Sequence, residues 1–445
     1  MKRHLMTHLL RWRDNLRRKP LILRGVRQTG KSYLLEAFGQ EFFRKYYVIN
    51  FEKEAWARAL FEGDLDPRYI INELRFALKA DINITQDLVI FDEIQACPRA
   101  LTSLKYFCED LPELALCCAG SLLGLHLNES SYPVGKVDMM HLHPMTFSEF
   151  LTGIGDDYAA EYFNNITLHS KISEPMHQQL WERLKHYFVT GGLPEIINIF
   201  SEDPIDLYRT TKNVRHKQEE LINAYYADIA KHAGKVNAMH IDRTWRAVPN
   251  QLFANQDRST GRFRFKGIIP NVERYSQLVN VIDWLTSAEL INKIPIIGSV
   301  QLPLGVYSKE NIFKVFMFDI GILGSMGALA PQTLLDYKFG TYKGYFAENF
   351  VAQQLAVKNY KKIYSWQEDR SEIEFLLDHE GEIIPIEVKS GAVVHAKSLR
   401  KYIDKYHPKK SIIFSGNNMQ VNPRLNIYHF PLYLAEKAME LLFPQ

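Results

Sequence analysis

Four short stretches of this chain carry side chains able to do chemistry. The first, Gly25-Val26-Arg27-Gln28-Thr29-Gly30-Lys31-Ser32, has the GxxxxGK[ST] spacing of a phosphate-binding P-loop. Gly25 and Gly30 can take backbone angles closed to other residues, which turns the loop amides inward. The helix that follows adds its partial positive charge beneath the phosphates. In such a loop Lys31 neutralises the β- and γ-phosphates of ATP, and the Ser32 hydroxyl ligates Mg²⁺. The expected nucleotide-binding set runs from Gly25 through Tyr33.

The second stretch, Leu88-Val89-Ile90-Phe91-Asp92-Glu93, is an apolar run ending in two acids. A buried parallel strand of this kind delivers carboxylates to the sheet edge where such folds bind ligands. Asp92 is expected to hold the Mg²⁺ hydration shell and Glu93 to polarise the attacking water. A strand can also end in acids for solubility; its place downstream of a P-loop favours the chemical reading. The third stretch is Gly120-Ser121, after the apolar run Leu114 to Ala119. Ser121 can sense the γ-phosphate or position water, and it can equally cap a helix beginning at Leu122.

The fourth is Ile386-Glu387-Val388-Lys389, preceded by a strand carrying Glu374. Strand alternation puts Glu387 and Lys389 on one face. Glu374 and Glu387 could bind a divalent metal, with Lys389 aligning water or stabilising phosphate charge and Glu348 adding a carboxylate. The plainer reading is a solvated strand face or an inactive remnant. The flanking residues are apolar, however, and ions on an otherwise buried strand need a reason.

These residues need elements to hold them. Leu21 to Leu23, Tyr46 to Phe51, Leu88 to Phe91, Leu114 to Ala119 and Val137 to His143 read as strands, the last closed by Pro144. Helical spacing follows Lys31, and Asp66-Pro67 marks a helix start. Together they predict a five-stranded, three-layer α/β core. His141 and His143 alternate along the last strand and read as structural. From Phe147 to about Ala233 the chain is mostly helical, broken by Gly191-Gly192-Leu193-Pro194. That turn either abuts the nucleotide or simply ends a helix. Arg262-Phe263-Arg264-Phe265-Lys266 alternates cation and aromatic, as a strand with Phe263 and Phe265 inward. Its cations suit solvent better than nucleic acid. A helix from Leu278 to Leu290 and a strand from Ile294 to Ile297 fit a winged-helix-like unit. The expected divisions are 1–155, 156–235, 236–330 and 331–445.

The 445 residues are enough for two to four domains. A net charge of +3 gives no bulk electrostatic argument for nucleic acid, so any basic surface must be local. The four cysteines form no CxxC pair, which predicts reduced core thiols rather than a zinc site. No run approaches the roughly 20 apolar residues of a membrane span. The basic N-terminal stretch lacks the apolar segment of a secretory signal and reads as an amphipathic helix with Leu5, Leu9, Leu10 and Leu16 on one face. These features predict a cytoplasmic protein without a membrane partner and leave its oligomeric state open.

The order of motifs is also recognisable. The P-loop, Phe91-Asp92-Glu93-Ile94-Gln95, Ala119-Gly120-Ser121 and His143-Pro144-Met145-Thr146-Phe147-Ser148-Glu149-Phe150 resemble the prokaryotic AAA-type ATPases of the archaeal-ATPase-like group. Gly191-Gly192-Leu193-Pro194-Glu195, Phe316-Met317-Phe318-Asp319-Ile320-Gly321 and Ile386-Glu387-Val388-Lys389-Ser390-Gly391 resemble the C-terminal region those proteins carry, domain of unknown function 4143. The resemblance implies a P-loop NTPase core that binds and hydrolyses ATP with Mg²⁺. It further implies a helical, winged-helix-like middle and a C-terminal α/β restriction-endonuclease-like domain of the PD-(D/E)xK kind. It departs at Lys136, where Gly-Arg is usual, and at Glu374, where Asp is. Two functions follow as expectations. One is an ATPase whose nucleotide state is coupled to a metal-dependent nuclease acting on DNA. The other is a P-loop switch regulating a protein or nucleic-acid partner through an inactive C-terminal fold.

Overall fold

The computed structural model describes residues 1–120, 133–203, 205–232, 235–254, 261–336, 342–358, 362–391, 396–422 and 424–444. The chain divides into two compact units, Met1–His143 and Pro144–Gln445. The first unit therefore ends ahead of the expected boundary near residue 155. Thr146 caps the helix Phe147–Gly153 of the second unit in a reciprocal box with Glu149, so the motif after Pro144 begins a new fold.

The first unit is a parallel sheet with strands in the order β2-β3-β4-β1-β5. These are β1 (Leu21–Arg24), β2 (Tyr46–Asn50), β3 (Leu88–Asp92), β4 (Ala115–Ala119) and β5 (Asp138–His141). Both faces are covered, which is why β3 and β4 are apolar without alternation. Helices α1 (Leu5–Asp14) and α2 (Lys31–Phe42) pack Leu9, Trp12, Leu34, Leu35 and Phe38 against Leu21 and Leu23. On the other face α3 (Ala55–Leu60), α4 (Pro67–Leu78) and α5 (Pro98–Asp110) cover Ile22, Ile49 and Val89. Phe51, Phe61 and Phe91 meet edge to face there at 5.4–5.6 Å, and burial of each contributes about 1.5–3 kcal/mol. The Asp66 carboxylate accepts from the amides of Arg68 and Tyr69, giving α4 the expected start. Leu16 departs from expectation: α1 ends at Asp14, so Leu16 is fully exposed and Trp12 takes its place as an anchor. The four cysteines are free, and burial raises the thiol pKa of Cys117 and Cys118 on β4.

The second unit joins a set of helices to an eight-stranded sheet of order β12-β13-β11-β10-β9-β8-β6-β7. Its strands are β6 (Ile291–Ile297), β7 (Ser308–Met317), β8 (Ile363–Glu368), β9 (Ser371–His379), β10 (Glu382–Val388), β11 (Ser411–Ser415), β12 (Gln420–Asn422) and β13 (Ile427–Pro431). The antiparallel pair β6–β7 continues this sheet through Ile296 opposite Ser365 and Ile297 opposite Trp366. The segment expected to form a separate winged-helix-like unit thus lends two strands to the C-terminal sheet. Pairing with β8 satisfies backbone groups along β6 that an isolated wing would leave at an edge. Residues Arg262 to Lys266 are not a strand, although the alternation holds. Phe263 is buried and lies parallel to Phe313, its amide donates to the Phe313 carbonyl at 2.9 Å, and the three cations are exposed.

The Gly-Gly-Leu-Pro and Phe-Asp-Ile-Gly motifs meet inside this unit. Gly191 ends the helix Glu174–Thr190 at φ +70°, and a side chain there would strike the Asp319 carboxylate at 2.1 Å. Asp319 accepts from the amides of Gly192 at 2.7 Å and Ile322 at 3.0 Å. Tyr187 donates to the Met145 carbonyl and accepts from Gln353. Every member of this knot is buried, so these motifs hold the fold together.

Candidate nucleotide site and a buried acid–lysine cluster

The P-loop runs between β1 and α2. Gly25 sits at φ +151° where an added Cβ would lie 2.2 Å from the Leu142 carbonyl oxygen, so glycine is required. Gly30 precedes α2 in the left-handed region at φ +88°. Buried Thr29 donates its hydroxyl to the Val26 carbonyl at 2.8 Å, and Lys31 donates to the Gly25 and Val26 carbonyls, both at 2.9 Å. Val26 is buried as well, so it can meet a ligand through its backbone; the side chains of Arg27, Gln28 and Tyr33 are exposed.

Ser32 Oγ donates to Asp92 Oδ1 at 2.9 Å, and Asn50 Nδ2 donates to Asp92 Oδ2 at 2.9 Å. A hydroxyl beside an oriented carboxylate is the oxygen donor set that Mg²⁺ takes together with water and phosphate. The residues fit the ion: Ser32 would hold it directly and Asp92 through its water shell, and the bound ion would neutralise charge on the β- and γ-phosphates. Glu93 is the first residue beyond β3, at φ +51°, a strained setting for a non-glycine residue. Gln95 Nε2 donates to its carboxylate. Ser121 lies outside the described residues. Strand β4, which precedes it, runs between β1 and β3.

Arg3 was not singled out by the sequence. Its guanidinium donates to the Thr29 carbonyl at 2.9 Å and to the His143 carbonyl at 2.6 Å, bracing the P-loop against the end of the sheet. The only hint was an arginine ahead of an amphipathic helix. Lys136, at the expected Gly-Arg position, pairs with Glu109 at 2.7 Å. His141 and His143 stack at 5.9 Å.

In the second unit the remaining expected residues come together with two that were not expected. Glu374 lies on β9, Glu387 on β10, and Glu348 on the helix Tyr342–Val357, all buried. Lys389 Nζ lies 2.6 Å from Glu387 Oε1 and 3.9 Å from Glu374 Oε1. Glu374 Oε2 also accepts from the Val388 amide at 3.1 Å. Lys314 on β7, fully buried, pairs with Glu372 and lies 4.0 Å from Glu348 Oε2. Glu387 Oε2 is buried without a hydrogen-bond partner. Burial first, and then the neighbouring Glu374, push the Glu387 carboxyl up to about 8; burial raises Glu374 too. Burial opposes the Lys314 charge, yet Glu372, Glu348 and Glu374 hold its pKa above the ordinary value.

Among the described residues no group of three or more His, Cys, Asp or Glu forms a ready metal cage. Of the carboxylates expected as metal ligands, Glu374 and Glu387 have Lys389 between them, and Glu348 has Lys314 beside it. Lys314 escaped sequence reading because a single lysine in a strand carries no signal until the fold buries it.

The sheet order, the glycine-bounded loop after β1 and the acid pair at the end of β3 are those of a P-loop NTPase-like α/β fold. Residues 17–151 match the AAA domain family, residues 181–333 a domain of unknown function (DUF8612), and residues 343–433 a domain of unknown function (DUF4143). Residues 17–151 thus carry an AAA-type P-loop domain, and residues 343–433 a DUF4143 region. No curated protein matches it. Among solved structures it is similar to the Walker-type ATPase paby2304 of Pyrococcus abyssi, at 16% identity over 73% of this chain and 95% of that one, with a TM-score of 0.46. AMPPCP-bound DnaA from Aquifex aeolicus shares 17% identity over 63% and 86% of the two chains, TM-score 0.28. Cdc6p from Pyrobaculum aerophilum shares 13% over 76% and 96%, TM-score 0.29. Likenesses this distant do not bear on function. Among the described residues no helix is long and apolar enough to cross a membrane.

Proposed function

We propose that this ATPase binds Mg-ATP through the 25–33 loop and Asp92, hydrolyses it with Glu93 orienting water, and uses the nucleotide state to control a metal-dependent nuclease centre at Glu374, Glu387 and Lys389. The observation that carries the nuclease reading is Glu387 Oε2, a buried carboxylate oxygen without a hydrogen-bond partner, beside Glu374 and Lys389. A divalent cation would give that oxygen a partner. Glu374 and Glu387 would hold the ion, with Glu348 as a further carboxylate, and the ion would polarise a scissile phosphate. Lys389, the more exposed of the two lysines, would stabilise charge as the phosphodiester breaks. DNA is the substrate class this reading carries forward.

The test is cleavage of DNA and RNA with Mg²⁺ or Mn²⁺, with and without ATP. Lys389→Ala should abolish cutting while leaving ATP turnover and DNA binding in place. Glu387→Ala should also weaken metal binding. The switch reading has its own support in the ion pairs that already engage these carboxylates. Wild-type protein that cuts neither nucleic acid with either metal in any nucleotide state would establish it over the nuclease.

A further inference from the structure

The two acids at the end of β3 are gripped by different amides. Asp92 is held on both oxygens, by Ser32 at Oδ1 and by Asn50 at Oδ2. Asn50 is itself fixed, because its Oδ1 accepts from the backbone amides of Glu52 at 3.1 Å and Lys53 at 2.9 Å. Glu93 stands apart from that arrangement: the hydrogen bond to its carboxylate comes from Gln95, through Nε2. Gln95 sits in the single helical turn Ile94–Ala96, which the left-handed Glu93 opens. The Ala96 amide donates to the Glu93 carbonyl at 2.9 Å and the Cys97 amide to the Ile94 carbonyl at 3.0 Å. Ile94 is fully buried among the core residues on that face of the sheet. The backbone carrying Gln95 is therefore pinned on either side of it. Among the described residues the other end of its side chain, Oε1, is buried without a hydrogen-bond partner. A glutamine kept for structure alone is expected to satisfy both ends, since a buried polar atom left unpaired costs free energy. This one leaves its oxygen unpaired and spends its nitrogen on Glu93.

We propose that Gln95 is a positioning residue for ATP hydrolysis, which locks the Glu93 carboxylate in the orientation from which it directs the attacking water and touches no part of the nucleotide itself. This rests on the reading of Glu93 above and deepens it. A glutamate side chain is long and rich in rotamers, and ordering it costs entropy. A donor fixed on one carboxylate oxygen meets that cost before the nucleotide arrives, and a bond from an amide to an ionised oxygen is strong enough to hold it. The orientation matters because a misplacement of about 1 Å at a reacting group costs on the order of 10²-fold in rate. The turn after β3 thus serves the chemistry as well as the course of the chain.

The test is single-turnover hydrolysis of radiolabelled ATP, beside fluorescent-nucleotide binding, on the full chain. Gln95→Met keeps the length of the side chain and removes the donor. It should lower the hydrolysis rate by about tenfold to a hundredfold and leave nucleotide affinity within about twofold of wild type. Gln95→Asn keeps an amide but falls a methylene short of Glu93, and should lose a similar factor. Nucleotide binding reports that each variant is folded. In the Glu93→Gln background, Gln95→Met should change the residual rate by less than about twofold, because no charged group is left to position. Equal losses in both backgrounds, or a loss of affinity that matches the loss of rate, would make Gln95 structural and overturn the proposal. Gln95→Met at the wild-type rate while Glu93→Gln is slow also overturns it and leaves Glu93 standing. Glu93→Gln within a few-fold of wild type overturns the reading of Glu93 and the proposal with it.

Discussion

The Ser32 hydroxyl and the Asp92 carboxylate are 2.9 Å apart although sixty residues separate them in the chain. One lies in the first turn after the P-loop and the other ends β3, two strands from β1 in the sheet. Their meeting brings the P-loop motif and the acidic strand end together at one place.

That site predicts a graded response. Lys31→Ala should abolish ATP binding measured by calorimetry. Ser32→Ala should instead weaken the Mg²⁺ dependence of binding more than binding of the free nucleotide. ATP affinity unchanged in Lys31→Ala would rule out the assignment.

Glu93→Gln keeps the side chain's shape and removes the charge that orients water. Nucleotide binding should persist, while turnover falls on the order of 10²–10⁴-fold, as for a positioned base. Turnover within a few-fold of wild type would make Glu93 a structural acid.

Arg3 holds two carbonyls at once with a planar fork, one of them in the P-loop. Arg3→Ala should lower ATP affinity by roughly tenfold, equivalent to about 1.4 kcal/mol. Arg3→Lys should recover only part of it, because an ammonium does not reproduce the fork. A fluorescent-nucleotide titration beside a melting curve separates loop positioning from general destabilisation. Equal affinity in all three proteins would show that the brace does not act on the nucleotide.

Burial raises the Asp319 carboxyl from 3.8 to about 6, with the amides of Gly192, Ile322 and Gly321 opposing. The folded protein therefore binds the proton more tightly than the unfolded chain. This contribution is full below pH 4 and is lost as pH rises through about 6, amounting to about 3 kcal/mol. Denaturant unfolding of wild type and Asp319→Asn across pH 4–7 should show the difference between them changing in that window. A flat difference would mean that Asp319 titrates normally.

Much of the first unit was legible in the sequence because local chemistry dictates it. Strands covered on both faces are continuously apolar, and a phosphate loop needs glycine where no side chain fits. Leu21 to Leu23, Gly25, Gly30 and Leu88 to Glu93 each announce their place without reference to the rest of the chain. The placing of Glu374 and Glu387 on neighbouring strands, with Lys389 just past the end of β10, was legible for the same reason, through alternation. What they touch was not. Lys314 enters the cluster only because β6 and β7 extend the C-terminal sheet, a pairing between segments some seventy residues apart that no local pattern encodes. Arg3 became part of the P-loop's support by long-range hydrogen bonds, and Asp319 became the partner of Gly191 and Gly192 through packing. Residue type and spacing determined which groups were available for chemistry; tertiary structure decided which charges face one another, because burial and counter-ions depend on elements brought together from distant parts of the chain.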